Sequence, residues 1–410
     1  MWMRIRTAGA VWLALVAFSL PSAPAQEAPA SKRFTGPWDV PALLSNPPAS
    51  TWGEAKGGVR EVLYEGEPLD GKPTRVFAYY ARPGSGDGPF PAMLLVHGGG
   101  GKAFREWAEL WAGRGYVALA MDLAGHGPDG RRLPDGGPEQ DDHGKFRDFD
   151  DDEARQMWTY HAVAAVLRGH ALLAAREEVD RDKIGVTGIS WGGYLTCIVA
   201  GIDDRLKVAV PVYGCGFLYE DSAWIPRFEK MSVEQRDRWV ANFDPSRYLP
   251  GVRAPILFVN GTNDFAYPLG SYRKSYRLVK GPRTLCVQVR MPHGHPQGWA
   301  PKEIGLFVDS VLKGGKPLPR LGVLSLSDGH ASATTHSEAP IASAQLHYTT
   351  DTGPWQKRDW KSLDARLAEG KVTADLPEGS PLVVYMTATD GRGAVVSTEH
   401  EELRGEGRSR

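Results

Sequence analysis

Residues 183–201 read KIGVTGISWGGYLTCIVAG, and they are the most informative part of the sequence about the fold. An apolar run with β-branched residues leads into Gly188-x-Ser190-x-Gly192, and an apolar helical pattern follows directly. A glycine two residues before and two residues after the serine lets the chain turn tightly from a strand into a helix, because a β-carbon at either place would meet the neighbouring elements. The pattern therefore predicts a strained strand-to-helix turn that exposes the hydroxyl of Ser190 beside the N-terminal end of a helix.

Outward from this turn, apolar runs alternate with amphipathic stretches. We expect strands at 92–96, 116–121, 183–186, 208–212, 255–259 and 285–289 and helices near 104–113, 153–179, 192–201, 232–242, 271–279 and 302–312. Two earlier runs, 61–64 and 75–80, alternate as antiparallel strands do. The sequence thus predicts an α/β fold, a mostly parallel sheet with helices on both faces.

A glycine-rich loop follows the predicted strand at 92–96, because residues 94–101 read LLVHGGGG. A strand that runs into such a loop can supply backbone N–H groups for a developing oxyanion, together with the N–H of the residue after the nucleophile. We expect Gly99, Gly100 and Trp191 to be these donors. A phosphate-binding loop is disfavoured because Lys102 is followed by alanine and phenylalanine, not by Ser or Thr.

An acid and a base follow later strands in the order that a serine nucleophile requires. Asp264 comes after the predicted strand at 255–259, and a carboxylate there can hold the Nδ1–H of a histidine. Two histidines follow the last strand, His293 and His295. His293 lies closer to the strand end and is the predicted base, with His295 as a residue lining the site, and the reverse assignment stays open.

Composition narrows the partners. The chain has 410 residues with 48 basic and 49 acidic side chains, which gives a net charge of −1. The protein as a whole therefore has no positive potential that would attract nucleic acid. Three cysteines lie in apolar segments without metal-ligand spacing, which favours buried free thiols and leaves a disulfide between two of them open. We expect no metal and no organic cofactor, and the sequence leaves the oligomeric state unknown.

The chain divides into four predicted regions. Residues 1–25 have a basic start, a short apolar run and a small-residue cleavage site, and so predict an export signal and a secreted or periplasmic protein without a membrane span after cleavage. Residues 26–58 are rich in Pro, Ala and Ser and predict an irregular segment. The α/β domain is expected at 59–314, and a fibronectin-like β-sandwich at 320–403.

Several motifs resemble those of a known family. Residues 96–101, 121–125, 188–196, 212–216 and 293–299 are similar to exported acetyl-xylan-esterase-like enzymes in the dienelactone hydrolase branch of the α/β-hydrolase superfamily. The resemblance covers roughly residues 60–312. It implies that Ser190, Asp264 and His293 hydrolyse acyl esters, with acetyl groups on plant polysaccharide or oligosaccharide as the expected substrate.

Two other functions stay open. The motif from Ser190 to Tyr194 also resembles prolyl-oligopeptidase-like serine peptidases, although the segment before the domain is too short for a β-propeller. A non-catalytic carbohydrate-binding protein on a hydrolase scaffold would bind through exposed aromatics such as Trp224, Trp355 and Trp360. In the esterase interpretation Trp224, within a cap-like segment at 219–248, is a predicted substrate contact.

Overall fold

The computed structural model describes residues 33–403, and the predicted export signal at 1–25 lies outside this range. Within it the large sheet has nine strands in the order β1-β2-β3-β5-β4-β6-β7-β8-β9, antiparallel from β1 to β3 and between β3 and β5, and parallel from there on. The strands are β1 (Ser50–Lys56), β2 (Val59–Glu65), β3 (Arg75–Ala81), β4 (Phe90–Val96), β5 (Val117–Met121), β6 (Val179–Ile189), β7 (Val208–Val212), β8 (Ile256–Gly261) and β9 (Arg283–Gln288).

Helices cover the two faces of this sheet. They are α1 (Val40–Ser45), α2 (Arg105–Gly113), α3 (Asp142–Phe146), α4 (Trp158–Ala174), α5 (Trp191–Ile202), α6 (Ile225–Phe228), α7 (Val233–Phe243), α8 (Leu269–Arg277), α9 (His295–Trp299) and α10 (Lys302–Leu312). Strands β4, β5, β7 and β8 and residues 184–189 of β6 are almost fully buried, because helices cover both faces of the sheet there, which explains their continuous apolar sequences. The predicted α/β architecture is confirmed.

Two parts of the predicted layout differ from the structure. The helix expected at 153–179 is α4, which begins at Trp158 after a short 3-10 turn and ends at Ala174. The segment 26–58, expected to be irregular, contains α1 and the edge strand β1 in its described part. Strand β1 is exposed along nearly its whole length, so its sequence has no alternation of apolar and polar residues that would predict it.

Two antiparallel sheets follow the α/β domain and pack face to face. Their strands are β10 (Arg320–Leu321), β11 (Ser325–Ser327), β12 (His330–His336), β13 (Ile341–Thr349), β14 (Lys361–Asp364), β15 (Arg366–Ala368), β16 (Lys371–Asp375), β17 (Leu382–Asp390), β18 (Val395–Ser397) and β19 (Glu401–Leu403). One sheet contains β10, β11, β12, β15 and β16, and the other contains β13, β14, β17, β18 and β19. Leu346 and Val384 of one sheet share an apolar core with Val372 of the other. This is the expected C-terminal β-sandwich.

The outer face of the β13–β17 sheet packs against the α/β domain. Trp355, Trp360 and Tyr385 form an apolar cluster with Leu269 of α8 and Val287 of β9. Trp355 is 8% exposed and Trp360 is 3% exposed. Both tryptophans are therefore packing groups of the interface between the two domains, and they are not the exposed binding surface that a carbohydrate-binding protein would need.

Three further properties follow from burial. Cys197, Cys215 and Cys286 are free and buried, as the sequence predicts, and burial raises the pKa of each thiol. Among residues 33–403, none of the helices combines the length and the apolar character required to span a membrane. That part of the chain also has no group of three or more His, Cys, Asp or Glu side chains placed to hold a metal ion.

Candidate active site

Ser190 lies at the turn between β6 and α5 with φ 59° and ψ −119°, a left-handed conformation that side chains other than glycine rarely adopt. Its N–H donates to the carbonyl of Val212 at 2.9 Å, which fixes the turn against β7. A β-carbon at Gly188 would overlap the carbonyl oxygen of Gly192, and one at Gly192 would overlap that of Val96. The two glycines are thus sterically required, as the sequence pattern predicts.

The glycine-rich loop after β4 is held against this turn. A β-carbon on Gly98 would lie 2.9 Å from the Cβ of Ser190, so the loop passes directly beside the serine. The N–H of Gly98 donates to Nε2 of His295 at 2.9 Å, and its carbonyl accepts from Nδ1 of His97 at 2.7 Å and from the N–H of Gly101 at 3.1 Å. Hydrogen bonds therefore hold both the backbone N–H and the backbone carbonyl of Gly98 in place.

The contacts of the two imidazoles define their protonation. Nε2 of His97 accepts the N–H of Leu123 at 2.8 Å, so the proton of that ring is on Nδ1. Nε2 of His295 likewise accepts the N–H of Gly98, which puts its proton on Nδ1. Burial lowers the pKa of His97, and burial together with the neighbouring His97 and His293 lowers the pKa of His295 to about 4. Both rings are neutral at physiological pH.

The three predicted oxyanion donors remain available for a ligand. In the described part of the chain the N–H groups of Gly99 and Gly100 have no hydrogen-bond acceptor. Trp191 is the first residue of α5, where an N–H has no partner within the helix. A β-carbon on Gly99 would lie 3.0 Å from Cδ1 of Trp191, so the loop and the helix start are adjacent. This arrangement can receive negative charge on a carbonyl oxygen.

Asp264, which is buried, and His293, which is partly buried, form a pair at the same edge of the sheet. Nδ1 of His293 donates to Oδ2 of Asp264 at 2.7 Å. The other carboxylate oxygen accepts the N–H groups of Ala266 at 2.9 Å and Tyr267 at 2.7 Å, which holds the acid in place. Because the carboxylate fixes the proton on Nδ1, Nε2 of His293 is free to accept one.

Tyr213 links this pair to Ser190 and was not identified from the sequence. Its ring stacks on the ring of His293 with centroids 4.3 Å apart, and its hydroxyl donates to the carbonyl of Pro292 at 2.6 Å. The preceding residue, Val212, accepts the N–H of Ser190. Tyr213 also has a positive φ of 64°, which is rare outside glycine. Its position directly after β7 was the available signal, since such sites lie at the carboxyl ends of parallel strands.

The two predicted substrate contacts differ in their surroundings. Trp224 is half-buried and packs edge-on against Trp191 with centroids 4.5 Å apart, so it lies beside the serine turn. His295 is in the site but uses Nε2 to hold Gly98, which makes it a support of the loop. An exposed aromatic that sequence reasoning missed is Phe265, whose ring lies 4.9 Å from that of His293 and whose surface is 56% exposed.

Comparisons with known proteins identify esterases and other hydrolases as similar to this chain. The family model for acetyl xylan esterase (AXE1) matches residues 59–222. The solved structure of an acetyl xylan esterase from Paenibacillus sp. R4 superimposes with a TM-score of 0.55 at 23% identity, covering 67% of this chain and 92% of that one. That identity supports the fold alone.

Two curated relatives align over a smaller share of this chain than that structure does. The acetyl esterase Axe7A of Xylanibacter ruminicola (strain ATCC 19189 / DSM 19721 / CIP 105475 / JCM 8958 / 23) is 21% identical over 224 residues, 52% of this chain and 51% of that protein. YtaP of Bacillus subtilis (strain 168), named only as a hydrolase, is 30% identical over 155 residues, 32% of this chain and 46% of that protein. The chain spans about half the length of these relatives. The chain has the α/β-hydrolase fold, and it is similar to acetyl xylan esterases and to proteins of the dienelactone hydrolase type.

Proposed function

We propose that the protein is a serine esterase with Ser190 as nucleophile, His293 as base and Asp264 as the acid that orients it. The observation that carries this proposal is the His293–Asp264 hydrogen bond at the sheet edge where the strained Ser190 turn lies. A serine hydroxyl is a weak nucleophile until a positioned base takes its proton. In this proposal His293 is that base, and its hydrogen bond to Asp264 fixes its tautomer.

The reaction proceeds in two acyl-transfer halves. Nε2 of His293 accepts the Ser190 proton while Oγ attacks the ester carbonyl, and the resulting imidazolium gives that proton to the departing alcohol. Water then attacks the acyl-serine with His293 again as base. The carboxylic acid product leaves, and Ser190 is regenerated. The N–H groups of Gly99, Gly100 and Trp191 stabilise the oxyanion in both halves, and the loss of one such donor typically costs about 10²–10³ in rate.

Acetyl esters of a plant polysaccharide or oligosaccharide are the proposed substrates. The family model and the relatives with acetyl esterase names support the acetyl group. Phe265, exposed next to His293, offers an apolar ring face at the mouth of the site, where a sugar ring could lie against it. We further propose that residues 1–25 direct export, which would bring the enzyme to an extracellular or periplasmic polymer.

The test measures acetate released from acetylated xylan and p-nitrophenol released from its acetate and butyrate esters. We expect the wild type to act on both classes of substrate and Ser190→Ala to lose activity by about 10⁴-fold or more. Ser310→Ala is the matched control, because among residues 33–403 the Ser310 hydroxyl bonds only a carbonyl of its own helix, α10. It should retain wild-type rates.

Each other outcome has a defined meaning. Turnover of the small esters alone would leave the nucleophile in place and remove the polysaccharide assignment. Cleavage of peptide p-nitroanilides in preference to esters would favour the peptidase alternative. Equal activity of Ser190→Ala and wild type, or no cleavage of any substrate, would refute the catalytic proposal.

A further inference from the structure

A cavity of about 720 Å³ lies between the α/β domain and the β-sandwich. Its volume is within the roughly 300–1,000 Å³ of small-molecule binding sites. On one side it is lined by the chain that leads from β9 to His293, including Met291 and Pro292. On the other side it is lined by the outer face of the β13–β17 sheet.

The wall from the β-sandwich is a row of uncharged polar side chains. Gln345 and His347 are two positions apart on β13, and Thr387 and Thr389 are two positions apart on β17. All four side chains therefore project from the same face of the sheet. Farther along this face Val383 and Tyr385 are apolar and packed against the α/β domain. The apolar part of this sheet face is thus covered by the α/β domain, and the polar part lines the cavity.

Part of this row is fixed and part is available. Nδ1 of His347 bonds the Ser362 hydroxyl at 2.7 Å and Nε2 bonds the Thr387 hydroxyl at 2.9 Å, while burial lowers its pKa to about 4, so the ring is neutral and held in place. In the range 33–403 the Thr389 hydroxyl has no hydrogen-bond partner, and Gln345 uses only its amide nitrogen, on Asp364 at 3.3 Å. A rigid polar wall with free hydroxyl and amide groups suits a ligand rich in hydroxyls.

The charges around the cavity favour an uncharged ligand. Arg290 pairs with Asp359, Lys302 donates to the carbonyl of Arg392, and Glu303 accepts the N–H of Val395. These groups are already engaged by the protein, so no unpaired cluster of one sign is left to attract an ion.

We propose that this cavity binds a neutral oligosaccharide segment of the substrate, so that the β-sandwich contributes a glycan subsite beside the loop that carries His293. This inference rests on the proposed function for the identity of the glycan. Met291 and Pro292 line the cavity and directly precede His293 in the chain, which places the bound segment next to the reaction site.

The direct test measures binding separately from catalysis. Ser190→Ala protein is titrated with xylohexaose, and with cellohexaose for comparison, by isothermal calorimetry. We expect xylohexaose to bind and Gln345→Leu/Thr389→Val in the same background to weaken that binding about tenfold or more. Thr373→Val is the matched control, since Thr373 is equally half-exposed but lies on β16 of the other sheet. It should bind as Ser190→Ala does.

A kinetic experiment checks that the double variant is folded and that the subsite serves the reaction. With Ser190 intact, Gln345→Leu/Thr389→Val should hydrolyse p-nitrophenyl acetate at the wild-type rate and lose about tenfold in kcat/KM on acetylated xylan. Unchanged affinity of the double variant, or no binding of either hexasaccharide at millimolar concentration, would overturn the subsite. Because binding is measured in an inactive background, that failure is distinct from a failure of the esterase proposal, which would be an absence of hydrolysis by the wild type.

Discussion

His293 and His295 are one residue apart, but their contacts give them different tasks. His293 bonds a carboxylate through Nδ1, whereas His295 accepts the N–H of Gly98 through Nε2 and packs against Phe104 with ring centroids 4.8 Å apart. The lowered pKa of His295, about 4, keeps it an acceptor over the neutral pH range. We therefore treat it as a positioning residue for the oxyanion loop, not as the base.

Replacing His295 should misplace the loop that carries Gly99 and Gly100. His295→Ala is expected to lower kcat for p-nitrophenyl acetate by about 10²-fold with little change in KM, because a shift of about 1 Å in a catalytic group can cost that much. His295→Gln keeps an acceptor for the N–H of Gly98 and should recover part of the rate. Steady-state kinetics of the two variants decide this, and complete inactivity of both, equal to Ser190→Ala, would instead make His295 the base.

At the scale of elements, a short chain of hydrogen bonds connects the loops after β8 and β9 to the β-sandwich. The N–H of Arg290 donates to the Thr262 hydroxyl at 2.9 Å, and that hydroxyl donates to Oδ1 of Asn263 at 2.7 Å. The amide of Asn263 in turn donates to backbone carbonyls at 355–358, the shortest at 2.8 Å to Arg358. Asn263 directly precedes Asp264, so the β-sandwich supports the loop that holds the proposed acid.

Thr262→Val should break this connection at its centre. Valine has a similar shape but neither donates nor accepts, so the Arg290 N–H and Oδ1 of Asn263 lose their partner and the free energy of unfolding should fall by about 1–3 kcal/mol. We also expect kcat to fall by about tenfold as Asp264 and His293 lose their relative position. Denaturant unfolding and ester kinetics check both effects. Thr284→Val on β9 is the control, and an identical loss in that variant would show that the effect is not specific to the connection.

For the molecule as a whole, buried neutral histidines make stability depend on pH. Burial lowers the pKa of His161 and of His347 to about 4, so the folded protein keeps them neutral while the unfolded chain protonates them near pH 6.5. The unfolded state therefore binds more protons between these values, and the stability present above pH 6.5 is lost as the pH falls towards 4. At pH 5 each histidine should account for a loss of about 2 kcal/mol.

Urea unfolding at a series of pH values tests this expectation. His161 is 7% exposed on α4, and its Nε2 has no hydrogen-bond partner in the described range, so His161→Leu removes a titrating group without breaking a bond at that atom. The variant should show a slope of unfolding free energy against pH that is smaller by nearly one proton between pH 6.5 and 4. A slope equal to that of the wild type would contradict the assignment of His161 as a contributor.

The local geometry of the site follows from residues that are close together in the sequence. The glycines around Ser190 are demanded by steric contact within one turn, and the strands of the parallel sheet are buried on both faces and so appear as apolar runs. The chain order of Ser190, Asp264 and His293 follows from those strands, because parallel strands place their carboxyl ends at one edge. Their roles remain predictions, and the structure brings Asp264 and His293 into contact as expected.

The partner that each side chain contacts depends on how distant parts of the chain pack together. The bond from Gly98 to His295 joins residues 197 positions apart, and the stacking of Tyr213 on His293 joins the segments that follow two different strands, β7 and β9. Trp355 and Trp360 look like binding residues in the sequence, yet the β-sandwich buries them against α8 and β9. The cavity beside them exists because a polar stretch of that sheet face does not close against the α/β domain. Such contacts depend on how separate elements pack, and a periodic pattern within one element carries no information about them.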